Sequence, residues 1–279
     1  MSESDFRDGP GGHPDQNALL TGRAVFTEAY AVIPRDVMRD IVTSNLPHWQ
    51  NTRAWIVARP MSGFSETFAQ YVMEVAPGGG SSRPEPDPQG EAVLFVLSGA
   101  LDLVIDDNKA GIARGDYAFV GPGVRWSVFN SPDSDHPARF VWIRKRYQPV
   151  HGISTPESFV LNEAEVVPEE MNDSGGAWLT TLFVDPDDIR HDMHVNIVTF
   201  EPGGTIPFME THVMEHGIYV LEGKAAYRLN RDWVELEQGD FVWLRAFCPQ
   251  ACYAGGPGRF RYLLYKDVNR HPELGIASQ

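Results

Sequence analysis

The sequence predicts an all-β chain built from two tandem copies of one barrel-like unit. Three observations carry that expectation: short β-branched and aromatic runs punctuated by 26 Gly and 21 Pro, a near absence of helical periodicity, and an internal repeat. A chain of 279 residues suits either two compact domains or one large β domain, and 42% hydrophobic residues suffice to fill a core.

Taken in order, residues 69–76 (AQYVMEVA), 92–97 (AVLFVL), 101–106 (LDLVID), 117–120 (YAFV) and 139–144 (RFVWIR) read as strands. So do 194–200 (HVNIVTF), 217–221 (GIYVL), 225–229 (AAYRL), 241–245 (FVWLR) and 260–265 (FRYLLY). Asp36–Ile41 and Pro156–Asn162 read as short helical turns. PGGG at 77–80 recurs as PGGT at 202–205, and FVLSGALDLVID at 95–106 as YVLEGKAAYRLN at 219–230. GDYAFV at 115–120 recurs as GDFVWL at 239–244, and ARFVWIRKRY at 138–147 as GRFRYLLYKD at 258–267. Gly99 and Gly223 are as far apart as Gly115 and Gly239, so the matches keep order and spacing. The expected organisation is an N-terminal segment over 1–60, a barrel over 61–150, a connection over 151–190 and a second barrel over 191–274.

A net charge of −15 and a pI near 4.9 repel phosphate backbones and anionic lipid, so neither nucleic acid nor a membrane surface is an expected partner. Two cysteines, Cys248 and Cys252, exclude a disulfide scaffold and a four-cysteine zinc cage. No run approaches the roughly 20 apolar residues of a membrane helix, and the acidic leader MSESDFRDGPGGHPDQN lacks a secretory apolar core. A cytoplasmic protein is expected, with a small-molecule partner and a homo-oligomeric state.

In the second copy, Gly204 is followed by Glu210, His212, His216 and Gly223, and Gln250 comes later. The spacing resembles the cupin motif G-x5-H-x-H-x3-E-x6-G with its second-motif histidine, and implies two small jelly-roll barrels, a bicupin. If residues 206–220 are extended, alternate side chains share a face. Glu210, His212, Met214, His216, Ile218 and Val220 then point together into the barrel. A carboxylate and two imidazoles are costly to bury unless a cation compensates them. The alternative is a pair of hydrogen-bonded histidines at a barrel mouth. Two nitrogens, a carboxylate and an amide oxygen suit Mn(II) or Fe(II), whereas zinc more usually takes three histidines or cysteines.

The repeat offset puts Pro86, Pro88, Ala92 and Trp126 opposite Glu210, His212, His216 and Gln250. None is a metal ligand, so the first barrel is expected to be structural. Glu91 aligns with Glu215, and both are expected to be solvated or to pack. In FRYLLYK, Phe260, Tyr262, Leu264 and Lys266 share a face, where Lys266 either snorkels outward or binds a substrate carboxylate. Tyr262 and Tyr227 are core residues or substrate contacts that move protons. Cys252 shares the parity of Gln250, although small buried packing is the simpler role; His194 reads as a strand-edge residue or a spare imidazole near the site.

Beyond the cupin motif, RAVFTEAYAVIPRD (23–36), KRYQPVHG (145–152) and YLLYKDVNRHPEL (262–274) are similar to the (S)-ureidoglycine aminohydrolase family, once labelled glyoxylate-induced or allantoin-cluster proteins. That resemblance implies manganese on Glu210, His212, His216 and Gln250. It also implies substrate contacts from Tyr227, Tyr262 and Lys266, and a catalytic group of Glu210, Tyr262 and Lys266. The implied reaction turns (S)-ureidoglycine and water into (S)-ureidoglycolate and ammonia, in allantoin and purine catabolism. Residues 153–192 match that family poorly. The competing expectations are an Fe(II) dioxygenase or isomerase on the same scaffold, and a non-catalytic barrel that binds a small carboxylate.

Overall fold

The computed structural model describes residues 22–38 and 43–267. The leader at 1–21 and the sequence after Asp267, including most of KDVNRHPEL, lie outside the described residues. The chain opens with β1 (Val25–Phe26), β2 (Tyr30–Ile33) and β3 (Trp49–Ala58). The first repeat follows as β4 (Phe68–Ser81), β5 (Gly90–Ser98), β6 (Ala100–Ile105), β7 (Asn108–Ala113), β8 (Asp116–Val120), β9 (Trp126–Phe129) and β10 (Ala138–Arg146). The connection carries β11 (Phe159–Asn162), β12 (Glu169–Glu170) and β13 (Trp178–Thr181). The second repeat is β14 (Met193–Phe200), β15 (Thr205–Glu210), β16 (His216–Glu222), β17 (Lys224–Leu229), β18 (Asp232–Glu237), β19 (Phe241–Leu244), β20 (Gln250–Tyr253) and β21 (Phe260–Asp267).

Every strand expected from the repeat is present, and the chain is nearly all β. In the second barrel one sheet runs β1-β2-β19-β16-β21-β14-β13-β12 and the facing sheet β15-β20-β17-β18. In the first barrel the order is β11-β8-β5-β10-β4-β9-β6-β7, with β3 on β4. The repeat glycines sit where a side chain has no room. Gly223 has φ +78° and a Cβ there would lie 1.9 Å from the Arg259 carbonyl; at Gly99, with φ +74°, it would lie 2.7 Å from the Ala138 Cα.

Pairing crosses the segment boundaries expected from sequence. β2 joins β19 of the second barrel, whereas β11, which leads into the second repeat, joins β8 of the first. Each repeat therefore lends its leading strand to the other barrel. The same exchange explains two departures from expectation. Residues 156–162 are not a helical turn, because Phe159, Val160 and Leu161 are β-formers that pair with Phe119, Ala118 and Tyr117. Only after Asn162, whose side chain caps the next turn through Ala164 N–H, does a 3-10 turn form, at Glu163–Glu165. Of the turn expected at Asp36–Ile41, a 3-10 turn occupies Arg35–Val37, and 39–42 lie outside the described residues.

Two faces of each central strand are buried. Odd-numbered Val195, Ile197, Tyr219, Leu263 and Tyr265 pack between the barrels against Phe68, Val72, Val93, Phe95, Val141 and Ile143. Even-numbered Val198, Phe200, Ile218, Val220, Phe260 and Tyr262 fill the interior of the second barrel. The first barrel's interior is closed by rings: Trp142 stacks on Tyr71 at 5.0 Å and meets Trp126 edge-on at 5.8 Å.

Candidate functional site

The sequence read Glu210 to Val220 as one strand with a shared face. The structure instead ends β15 at Glu210 and begins β16 at His216, so 211–215 is a connection between two sheets. Burial still separates the residues: Thr211 and Val213 are exposed, His212 and Met214 are partly buried, and His216 is buried. Glu210 and His212 therefore meet His216 because the chain turns across the barrel mouth rather than because of the pleat. The His212 carbonyl accepts the Phe247 N–H at 2.6 Å, which ties that turn to the loop before β20.

His212 Nε2 lies 3.5 Å from Glu210 Oε1, and the His212 and His216 ring centroids are 5.1 Å apart. Glu210 stands opposite Gln250 in the β15–β20 ladder, and Tyr227 donates its hydroxyl hydrogen to Gln250 Oε1 at 3.0 Å. The Tyr262 hydroxyl is 3.4 Å from that of Tyr227. Lys266 stands opposite His216 in the β16–β21 ladder. It does not snorkel free: it is half-buried, and desolvation holds its ammonium below the usual lysine range, opposed by the charge of Glu210. Cys252 lines the same interior, fully buried.

Burial decides the protonation of the rings. It pulls the His216 imidazole down to about 4, so the ring is neutral near pH 7 and the lone pair of its unprotonated nitrogen is available to a cation. Tyr227 and Tyr262 are pushed up by burial, which leaves both phenols protonated. They are hydrogen-bond donors here, not bases.

Among the described residues no three His, Cys, Asp or Glu side chains close on one point as a finished metal cage. The donors nevertheless fit a divalent cation. His216 Nδ1 is buried with no partner, a second imidazole and a carboxylate stand beside it, and an amide oxygen is held in place by a tyrosine. Glu210, His212, His216 and Gln250 are the side chains able to hold such an ion.

The first barrel keeps the frame without the donors. Arg144 stands opposite Ala92 as Lys266 stands opposite His216. That register differs by two residues from the one read by matching ARFVWIRKRY to GRFRYLLYKD: the loop before β10 (130–137) is two residues longer than the loop before β21 (254–259), whereas that match needs a difference of four. Arg144 is neutralised by an ion pair with Glu85 and lies 5.7 Å over the Trp142 ring. Pro86 and Pro88 are exposed, and Trp126 occupies the place of Gln250.

Sequence reasoning undervalued four residues. Glu215 is neither solvated nor a packing residue alone: its buried carboxylate accepts from Glu66 N–H, Thr67 N–H and Trp243 Nε1–H. Glu91 is likewise buried. His194 stands opposite Lys266 of β21 near the start of β14, where β13 does not reach, so it is at a local strand edge and yet buried. Asn196, on the same face, drew no notice because a lone Asn in a strand carries no motif.

His194 also sets a pH dependence. Burial lowers its imidazole from 6.5 to about 4, so between those values the unfolded chain binds more protons than the folded one. Stability contributed by neutral His194 is complete above pH 6.5 and is lost as pH falls towards 4. Urea unfolding across that window should give a shallower pH slope for His194→Gln than for the wild type.

A cupin domain model matches residues 71–144 and 196–265, one match in each barrel. (S)-Ureidoglycine aminohydrolase of Escherichia coli K12 is 29% identical over 92% of this chain and 95% of its own. The Arabidopsis thaliana enzyme of that name is 30% identical over 90% of this chain and 79% of its own. The chain belongs to the (S)-ureidoglycine aminohydrolase family of cupins. A Pseudomonas aeruginosa protein, solved under the provisional name glyoxylate-induced protein, has the same fold, with TM-score 0.87 and 61% identity over 98% of this chain and 100% of its own. As a member of this family of bicupin hydrolases, the protein has the two-barrel architecture expected from its repeat. No helix among the described residues is long and apolar enough to cross a membrane.

Proposed function

We propose that the C-terminal barrel converts (S)-ureidoglycine and water into (S)-ureidoglycolate and ammonia, with Mn(II), or alternatively Fe(II), held by Glu210, His212, His216 and Gln250. The reading rests on one observation above all: a neutral, buried imidazole at His216 stands opposite a half-buried lysine, beside a carboxylate, in a chain of this family. The bound ion would supply Lewis acidity and a fixed point of attachment for the substrate.

The chain's own groups account for the rest. The Lys266 ammonium faces a low-dielectric interior and balances the substrate carboxylate. The Tyr262 hydroxyl, kept protonated by burial, donates a hydrogen bond to the substrate, and the Tyr227 hydroxyl orients the Gln250 amide. The substrate carbon carries an amino group, a ureido nitrogen and a carboxylate, so its C–N bond to the amino group breaks readily. The nitrogen leaves as ammonia after gaining a proton. Water forms the new C–O bond and gives up a proton, for which the Glu210 carboxylate is the acceptor. Holding one face of that carbon towards water sets the product configuration.

The test generates ureidoglycine in situ with allantoate amidohydrolase and follows ammonia with manganese added or chelated. Release well above background that needs the metal is expected; background release by metal-replete protein would refute the assignment.

A further inference from the structure

We infer that Asn196 and His194 form the subsite that recognises the ureido end of the substrate; this rests on the proposed reaction for the identity of the ligand. The placement comes from strand parity. On β14 the odd residues Val195 and Ile197 pack between the barrels, so His194 and Asn196 share the interior face of Val198 and Phe200. Both are buried, at 6% and 2% exposure. Neither His194 Nε2 nor Asn196 Oδ1 has a hydrogen-bond partner. Unpaired buried polar atoms cost free energy, and a fold keeps them where a ligand will pair them.

The first barrel shows how the space is filled when nothing binds. Ala69 stands opposite Arg144 as His194 stands opposite Lys266, and Tyr71 opposite Trp142 as Asn196 opposite Leu264. There Tyr71 and Trp142 stack. In the second barrel those places hold an amide and an imidazole, each with one buried polar atom that has no hydrogen-bond partner.

With Lys266 next to His194 taking the carboxylate, the group that remains for this wall is planar, with N–H donors on either side of a carbonyl. An amide oxygen accepts from such an N–H, and a neutral imidazole has one donor and one acceptor nitrogen for the same plane. Burial keeps His194 neutral in the pH range of the reaction.

Two stable isosteres isolate the effect: N-carbamoylglycine, which ends in NH2, and N-acetylglycine, which ends in CH3. Calorimetry on the manganese-loaded protein should show at least about a tenfold preference of the wild type for N-carbamoylglycine, as expected of a site that pairs with an N–H. Asn196→Leu, close in shape but apolar, should lose that preference and bind N-acetylglycine within about twofold of wild type. Without ligand it should melt at or above the wild-type temperature, because an unpaired polar atom has been removed. His194→Gln should weaken both ligands. No preference in the wild type, a preference that survives in Asn196→Leu, or a melting point that falls with selectivity unchanged would overturn the inference. Because the readout is binding of stable ligands, it stands apart from ammonia release, whose absence would instead refute the reaction.

Discussion

His216→Ala should yield folded protein that retains no stoichiometric cation and releases ammonia from ureidoglycine at the background rate. His216 is 4% exposed, faces the barrel interior at the start of β16, and has a buried, unpartnered Nδ1. Removing an imidazole with so little bonded to it costs modest stability, about 1–2 kcal/mol, since the cavity penalty is partly offset by deleting an unsatisfied polar atom. Removing one of four donors costs far more in metal binding, because losing even an outer-shell partner costs about 10- to 100-fold. His212→Ala should behave the same way. Trp126→Phe, at the corresponding place in the first barrel, should leave metal content unchanged. Elemental analysis with circular dichroism separates the outcomes: a full complement of metal in folded His216→Ala would remove His216 from the site.

Glu215→Ala should cause the largest loss of stability in the chain's polar interior, about 3–5 kcal/mol. Its carboxylate is 6% exposed and gathers the Glu66 N–H at 2.9 Å, the Thr67 N–H at 2.5 Å, the Thr67 hydroxyl and the Trp243 indole N–H at 2.9 Å. Those donors belong to both barrels, so truncation strands the buried Trp243 indole N–H and unties the 66–67 turn of the first barrel from the second. Glu215 N–H also donates to Asp267, which fixes the β16 and β21 ends that carry His216 and Lys266. Metal affinity should therefore fall in the same variant. Glu215→Gln, which keeps one acceptor oxygen, should lose less. Urea unfolding reads the difference, and a midpoint shift equivalent to less than about 1 kcal/mol would show that the network carries little of the stability.

Much of this was legible in the residues, for local reasons. Strand positions follow from β-branched and aromatic runs, and their matched order from Gly99, Gly223, Gly115 and Gly239. Glu210, His212, His216 and Gln250 were legible as donor types at a spacing. Their convergence was expected from a pleat and comes from a turn over the mouth, since the connection at 211–215 leaves the strand. Residues 156–162 were misjudged because a strand that pairs with β8, far away in sequence, gives no local sign of its partner.

The sequence by itself determined the duplicated barrel, the order of its strands and the presence of ligand-capable side chains in only one copy. Only the tertiary structure decided that β2 and β11 exchange barrels, that Glu215 ties one barrel to the other, and that His194 and Asn196 face the interior of the second barrel. The reason lies in burial on both sides. A strand with one wet face alternates apolar and polar residues and declares its inside, whereas β14, β16 and β21 have one face in a barrel and the other between barrels. With no wet face to compare, an inward polar residue and an outward apolar one carry the same weight in sequence, and only the packing of the two barrels tells them apart.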